Sequence, residues 1–419
     1  MPRARTFASV LVATAIAGLA GYAITWWVAR EIGFADYATF AALWAALYLT
    51  VGGLAGIQQE FTRASQSGPG TGVKKATVFA CAAAAIVFCL MVASSPLWVT
   101  NSFPVQRFTL LWPLAVGAAS YVFVATISGV LYGLSAWRPL ALAILIDPVL
   151  RLLALVAVLR FTHDVTVLAW VVVLPLPLTF VVVWLVVRRP SRGGFVVDVA
   201  YGQLAWNVVR VVVGAGSLSV MVSGLPLLIR ATSHSEPDAA VGLLVLAITL
   251  TRAPLIVTVM SLQSILVVRF RDQETALLRQ VATIVGVLAA VGVLLAILGW
   301  LLGPCVFSVL FPGETTPDGW LLAALVGSSV LVAVMCVTAA ANLAKGQHSF
   351  LTAGWLAAAT LTVLFLALPG DLLQRVLLAL VVAPLGGLVV HGLGMVRSYR
   401  TAPVGHRVPT ENIEESEKS

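Results

Sequence analysis

Charge is what this 419-residue chain lacks most. Ten per cent of its residues are charged against sixty per cent apolar, and its mean hydropathy is +1.02. A soluble domain needs a largely polar surface, so this shortage excludes one. Cysteine is scarce too: Cys81, Cys89, Cys305 and Cys336 show no metal-site spacing. Three of them fall in apolar runs, which reads as buried, unpaired thiols. No nucleotide-binding motif occurs, and no metal or cofactor is expected. Large hydrophilic connections are also missing on one side of the chain, which leaves no room there for a catalytic domain; the expectation is not an enzyme.

What the chain has instead is repeated apolar runs, each long enough to cross a hydrocarbon core of roughly 30 Å. The expected spans are 7–29, 37–59, 77–99, 110–134, 140–159, 165–187, 204–229, 240–268, 281–302, 320–343, 350–368 and 376–396. All are read as helices, the default way to satisfy backbone groups in lipid. The first run follows Arg3 and Arg5 but is too long for a signal peptide and lacks a cleavage site. An even number of spans puts both termini on one side. Alternate connections, counted from the N-terminus, hold seventeen Lys and Arg residues, and the opposite ones hold only Arg30, Arg107, Arg160, Arg230 and Arg375. By the positive-inside rule both termini are cytoplasmic. Topology thus accounts for most of the formal net charge of +8, and no nucleic-acid partner is implied.

The cytoplasmic connection RRPSRGG, residues 188–194, divides the chain into six-helix halves, 1–193 and 194–400, followed by a disordered, solvated tail at 401–419. Placing Gln58 on Gln263, and Gly133 on Gly346, suggests an internal duplication. Six spans per half would give both the same orientation, related by an axis along the membrane normal. Two such lobes with a central cleft suit alternating access.

Four ionisable residues lie deep within spans: Asp147, Arg151, Arg210 and Arg252. Charge at such depth costs at least about 2.5 kcal/mol, so it should face the protein interior or water. Asp147 precedes Arg151 by four residues, the favourable order for an intrahelical pair, and Pro148 between them could make a hinge. That pair is either a self-neutralised tie or a functional element. Arg210 follows Asn207 on the seventh span and lies close enough to its start to snorkel. Arg252 sits near the membrane midplane with Pro254 beside it, a second candidate bend; a structural partner elsewhere is the alternative to a functional role. Three arginines face one aspartate inside the spans, and Glu60 at a helix end adds at most one more acid. The missing anion is then a substrate, and arginine suits phosphate because it stays protonated and offers a planar fork of donors.

Other readings meet specific gaps. The glycine-flanked Asp-Arg motif of major-facilitator transporters is absent after the second span, which reads FTRASQSGPGTGVKK. Glu31 and Asp36 lie on a connection of about seven residues, too short for the acidic loop of a membrane glycosyltransferase; Asp36 is better read as the N-cap of the second helix.

The opening stretch carries Gly33, Tyr37 and Phe40, then Gln59, Glu60 and Arg63, and a later one reads LLGPCVFSVLFPGE. In these features the chain resembles polysaccharide flippases of the multidrug/oligosaccharidyl-lipid/polysaccharide (MOP) superfamily. The resemblance implies an all-α polytopic membrane protein, MATE-like, with twelve helices in two lobes about a V-shaped central cleft. It implies translocation of a polyprenyl-(pyro)phosphate-linked saccharide from the cytoplasmic to the outer leaflet of a bacterial cytoplasmic membrane. Such proteins line a cationic cavity with the first, second, seventh and eighth helices, which puts Arg252 and Arg210 in it, with Arg151 and Asn207 as further binding candidates. Topology places Gln58, Gln59, Glu60 and Arg63 where the second span meets the cytoplasm. Glu60 and Arg63, three apart on one helical face, can pair as an interfacial cap; the other reading makes the stretch, with Gln263, a cytoplasmic gate. Asp147, Pro148 and Pro254 are the candidates for coupling or hinge motion. Expected partners are the lipid-linked saccharide, membrane lipid and polysaccharide-assembly proteins. An exporter of small cations resting on Asp147, and a non-transporting envelope-assembly partner, stand as the other readings.

Overall fold

The computed structural model describes residues 2–103, 107–187, 194–233, 235–272 and 277–401, and leaves undescribed the side chains of 2–11, of 107, of most residues between 253 and 272, and of 398–401. Lipid offers the backbone no hydrogen bonds, so each apolar run closes its own as a helix. The first two expected spans are two limbs of one element, α1 (Pro2–Ala64), bent at Gly33 with φ +75° and ψ 166°, a backbone region that side chains disfavour. There follow α2 (Gly72–Ser102), α3 (Arg107–Gly133) and α4 (Trp137–Val158). The expected sixth span is broken by Pro175 into α5 (Val165–Val173) and α6 (Pro175–Val187). The seventh is broken at Ser223 and Gly224 into α7 (Tyr201–Val222) and the short α8 (Leu225–Thr232). Then come α9 (Asp238–Asp272), α10 (Leu277–Leu310), α11 (Gly319–Ala344), α12 (His348–Leu366) and α13 (Leu372–Thr401). Helix α10 passes the expected end at 302 and continues through Pro304, so the stretch read as an external connection begins as helix.

Ten helical stretches among the described residues are long and apolar enough to cross a membrane. Counting the limbs of α1 separately and adding the 35-residue α9 gives twelve spans, arranged as two six-span lobes, α1–α6 and α7–α13. This is a multi-pass membrane protein. The lobes meet chiefly where α1 packs against α7 and α9.

Helices α2 and α10 turn most of their surface outward, with Leu90, Leu97, Leu294 and Leu301 exposed. In a bilayer that surface faces acyl chains, which are as apolar as a protein core. This corrects the reading of the cysteines: all four are free, but Cys81 and Cys89 on α2 and Cys305 on α10 are exposed, and Cys336 on α11 is buried. Hydropathy alone does not separate a lipid-facing side from a core-facing one.

Around the Gly33 bend, Phe34, Phe40, Leu43 and Leu47 pack with Leu110 and Leu114 of α3, Leu168 and Val172 of α5, and Val245 of α9. At the other end of α1, Ile57 and Phe61 pack with Ala118 and Val122 of α3 and with Leu204 and Val208 of α7. A separate core in the second lobe joins Met221, Val332, Met335 and Trp355.

Two short strands depart from an all-helical chain. β1 (Ser65–Ser67) pairs antiparallel with β2 (Phe195–Val197), Gln66 opposite Val196. Asp198 N–H donates to the Ala64 carbonyl at 3.1 Å, and Lys75 Nζ donates to the carbonyls of Val197 and Val199. The chain just beyond the connection between the halves is therefore bonded back to the first lobe.

The turns after α3 and α11 share one hydrogen-bond pattern. Ala136 N–H reaches the Leu131 carbonyl and Ser135 N–H that of Tyr132; Gln347 reaches Asn342 and Gly346 reaches Leu343. This is the Schellman arrangement. Its left-handed residue is Ser135 in the first turn (φ 54°) and Gly346 in the second (φ +69°). The counterpart of Gly346 is thus Ser135, two positions beyond the expected Gly133. Gly133 is small for another reason: a Cβ there would lie 2.9 Å from the carbonyl oxygens of Thr62 and Ser65.

Glycine is most strictly required at Gly242, where a Cβ would fall 1.8 Å from the Phe34 carbonyl oxygen. Only backbone separation could relieve that contact, so Gly242→Ala should destabilise the junction of α1 and α9 by about 1–3 kcal/mol, as overpacking does. Thermal unfolding of purified protein in detergent would register a lower midpoint, and an unchanged midpoint would refute the contact.

Candidate functional site

Helix α1 supplies one face of the site. Tyr37, Phe40, Trp44 and Tyr48 recur at helical spacing, with successive ring centroids 6.3, 5.9 and 4.9 Å apart. This ladder ends on Arg151 of α4, whose guanidinium lies 5.6 Å from the rings of both Trp44 and Tyr48. Arg151 is 1% exposed. Its Nε donates to the Val172 carbonyl at 2.8 Å, one Nη to the Tyr48 hydroxyl, and the other to Asp147 at 2.5 Å. Every nitrogen of that guanidinium already has a protein partner. These contacts tie α4 to α1 and α5, and they fit the self-neutralised pair that is one of the two readings of Asp147 and Arg151. Pro148 is buried, and α4 runs through it as one helix.

The Ala64 end of α1 holds the polar stretch. Glu60, 4% exposed, accepts from Arg63 Nε at 2.9 Å and Nη2 at 2.6 Å, and from Asn207 Nδ2 of α7 at 2.8 Å. Gln203 Nε2 in turn donates to the Asn207 side chain at 3.0 Å. Asn207 is thus held in a latch between α1 and α7. The latch can form because the two helices approach closely above it. A Cβ on Gly56 would lie 2.7 Å from the Val212 nitrogen, and one on Gly53 would lie 3.6 Å from the Gly216 Cα. Gln58 is half-buried and Gln59 exposed. Gln263 lies on α9, with its side chain outside the described ones, and the same holds for Pro254.

Gln203, Asn207 and Arg210 fall on one face of α7 at helical spacing. Arg210 is exposed, and among the described residues it makes no hydrogen bond or ion pair of its own.

Arg252 contrasts with Arg151. It lies fourteen residues into α9, or about 21 Å along the axis. It is 4% exposed, and its buried Nε and Nη2 have no hydrogen-bond partner among the described residues. Helix α9 packs on α1 and α11. No acid lies between the terminal aspartates of α9, and α11 has none. The acids of α1 are Glu31 and Asp36, both exposed near the bend, and Glu60, which already serves Arg63 and Asn207. A buried guanidinium without an anion is costly, so the arrangement suits an external anion that completes it.

The partners that deep charges find on other helices are not marked in the sequence, although the aromatic spacing on α1 points to Trp44 and Tyr48. Arg230 and Arg375, expected on external connections, are buried as well. Arg230 pairs with Asp238, and Arg375 donates to the carbonyls of Thr232 and Leu366 at 3.0 Å, tying the C-terminal ends of α8 and α12. Nothing in the local sequence marks them.

Two tests follow from the paired groups. Arg151→Met leaves Asp147 without its cation and should cost about 3–5 kcal/mol of stability, with Asp147→Asn in the same chain recovering part of it. A double mutant as unstable as Arg151→Met alone would refute the tie. Glu60→Ala and Asn207→Ala should show a coupling of about 0.5–3 kcal/mol in a double-mutant cycle, whereas additive effects would dissolve the latch.

No family model matches the chain. Its fold is that of a multidrug-resistance MATE family transporter of the MOP superfamily in an inward-facing conformation: TM-score 0.65 and 15% identity, covering 94% of this chain and all of that one. The lipid II flippase MurJ in an inward closed conformation is similar at TM-score 0.66 and 11% identity, over 94% of this chain and 88% of that one. In sequence, the chain is 30% identical over 406 residues to the uncharacterized protein Rv1510 of Mycobacterium tuberculosis, covering 93% of this chain and 91% of that protein. At that identity over nearly the whole of both sequences, the chain belongs to the family of Rv1510, and it folds as MATE transporters and MurJ do.

Proposed function

We propose that the protein is a flippase that moves a polyprenyl-(pyro)phosphate-linked saccharide from the cytoplasmic to the outer leaflet of a bacterial cytoplasmic membrane. The observation that carries this reading is Arg252, buried in mid-span with two unpartnered nitrogens. A pyrophosphate supplies the acceptors those donors lack, and it is the one strongly charged part of a lipid-linked sugar. The apolar lipid would remain in the bilayer beside the lobes. That MurJ, a protein of this fold, is a lipid II flippase supports a lipid-linked substrate. Arg210, exposed on α7, would receive the head group before Arg252 does.

With both termini in the cytoplasm, the Ala64 end of α1 is the cytoplasmic one. The Glu60–Asn207 latch would then be the closed state of a cytoplasmic gate, with Gln58, Gln59 and Arg63 at its rim and Gln263 on the opposing lobe. Rocking of the halves 1–193 and 194–400 would open it. The cation-exporter reading draws no support from the geometry, because Asp147, the acid it needs, is bonded to Arg151.

The test uses purified protein in liposomes with a fluorescent polyprenyl-pyrophosphate saccharide. Arg252→Ala should reduce leaflet translocation by at least tenfold, as expected when a charge-assisted contact of about 1.5–3 kcal/mol is removed, while thermal unfolding stays cooperative. Translocation by Arg252→Ala at the wild-type rate would overturn the assignment.

A further inference from the structure

A second buried polar cluster lies in the other lobe, where α11, α12 and α13 meet. His391 of α13 is fully buried. Its Nδ1 lies 3.0 Å from the Thr338 hydroxyl of α11, and its Nε2 lies 3.2 Å from the Leu351 carbonyl of α12. A carbonyl only accepts, so Nε2 carries the proton and Nδ1 presents a lone pair to the Thr338 O–H. The slot is cut to the imidazole: a Cβ on Gly354 would stand 2.2 Å from the ring. Asn342 donates to the carbonyls of Thr338 and His391 at 2.9 and 3.0 Å, which binds α13 to α11 at this level. Its own Oδ1 is buried without a partner.

The same atoms can hold one more proton. The Thr338 hydroxyl lies 3.1 Å from the carbonyls of both Val334 and Met335. If Nδ1 becomes protonated, it donates to Thr338 Oγ1 while the hydroxyl hydrogen turns to one of those carbonyls. No hydrogen bond is lost in either state. What changes is charge: an imidazolium would sit in an apolar lobe with no counter-ion. The other titratable side chains of the three helices are Cys336 on α11, His348 on α12, and Arg375, Arg397, Tyr399 and Arg400 on α13; none is a carboxylic acid. The charged form is thus well bonded but poorly solvated in this arrangement, and it favours one that admits water. Pro384, Gly386 and Gly387 lie within two turns of His391 on α13, a segment where a helix bends readily.

We propose that His391 is a proton-binding site, with Thr338 as its hydroxyl relay, and that proton uptake there shifts the second lobe between two arrangements. Its role in driving transport rests on the flippase reading; its existence as a proton site does not. The proton comes from bulk water through the lobe once it opens, and no other ligand is required.

The experiment follows imidazole nitrogens by magnetic resonance in ¹⁵N-histidine-labelled protein in nanodiscs, with the His391 signals identified by their loss in His391→Gln. At high pH they should show an unprotonated Nδ1 and a protonated Nε2. Between about pH 9 and pH 4 both should become protonated. Thr338→Val, which keeps the shape but removes the relay, should move the midpoint to lower pH, raising the proton concentration needed at least tenfold. A His391 that stays neutral across the range, or a midpoint indifferent to Thr338→Val, would overturn the proposal. Should His391→Gln fail to fold, His391→Asn provides the assignment. In liposomes, an imposed pH gradient should alter wild-type translocation and leave the His391 variant indifferent. Absence of translocation by the wild type would count against the flippase reading alone, because the resonance titration stands without it.

Discussion

The bilayer removes water as a hydrogen-bond partner, and the rest of the structure answers that constraint. Backbone groups bond within helices, and at the break after α7 the Gly224 N–H still reaches the carbonyls of Ser219 and Val220. Side chains have no such default. Arg151 is enclosed by Tyr48, Asp147 and Val172; Glu60 collects Arg63 and Asn207; Arg375 ties two helix ends. Arg230 and Arg375 each leave a buried Nε bare but bond through Nη1. Arg252 differs in degree, with two buried nitrogens that lack a partner among the described residues.

The same constraint organises the contact between the lobes. Apolar packing gives little net drive for helix association in lipid, so close backbone approach and polar ties carry more of it. The glycines of α1 bring its backbone against α7, and Glu60 and Asn207 close the contact at one end. The strand pair β1–β2 adds backbone hydrogen bonds at that end, outside the helices. Such contacts are short and directional, so they make or break as units. That would suit the opening and closing that the proposed function needs.

Within each lobe, polar residues play different parts. In the first, Arg151 is locked by partners that cannot release it without leaving Asp147 bare. In the second, the His391 cluster is bonded in a way that tolerates a change in proton number. The difference lies in chemistry: a guanidinium offers only donors, whereas an imidazole and a hydroxyl each both donate and accept.

The sequence by itself determined the helical membrane class, the existence of the twelve spans, and Arg151 and Arg252 as buried charges. It did not determine the breaks in the sixth and seventh spans or the burial of Arg230 and Arg375. Hydrophobic run length and the price of a charge in lipid are local properties, so they are legible locally. Pairing was legible only where partners share a helix, as for Asp147 with Arg151 and Glu60 with Arg63. Tertiary structure alone decided the rest: Tyr48 on Arg151, Asn207 on Glu60, β1 on β2, and the meeting of Thr338, Leu351 and His391. Each joins residues far apart in the chain, and neither composition nor periodicity records which helix faces which. It also decided which apolar faces meet lipid, and so exposed Cys81, Cys89 and Cys305. Lipid and protein interior are equally apolar, so hydropathy cannot tell one from the other.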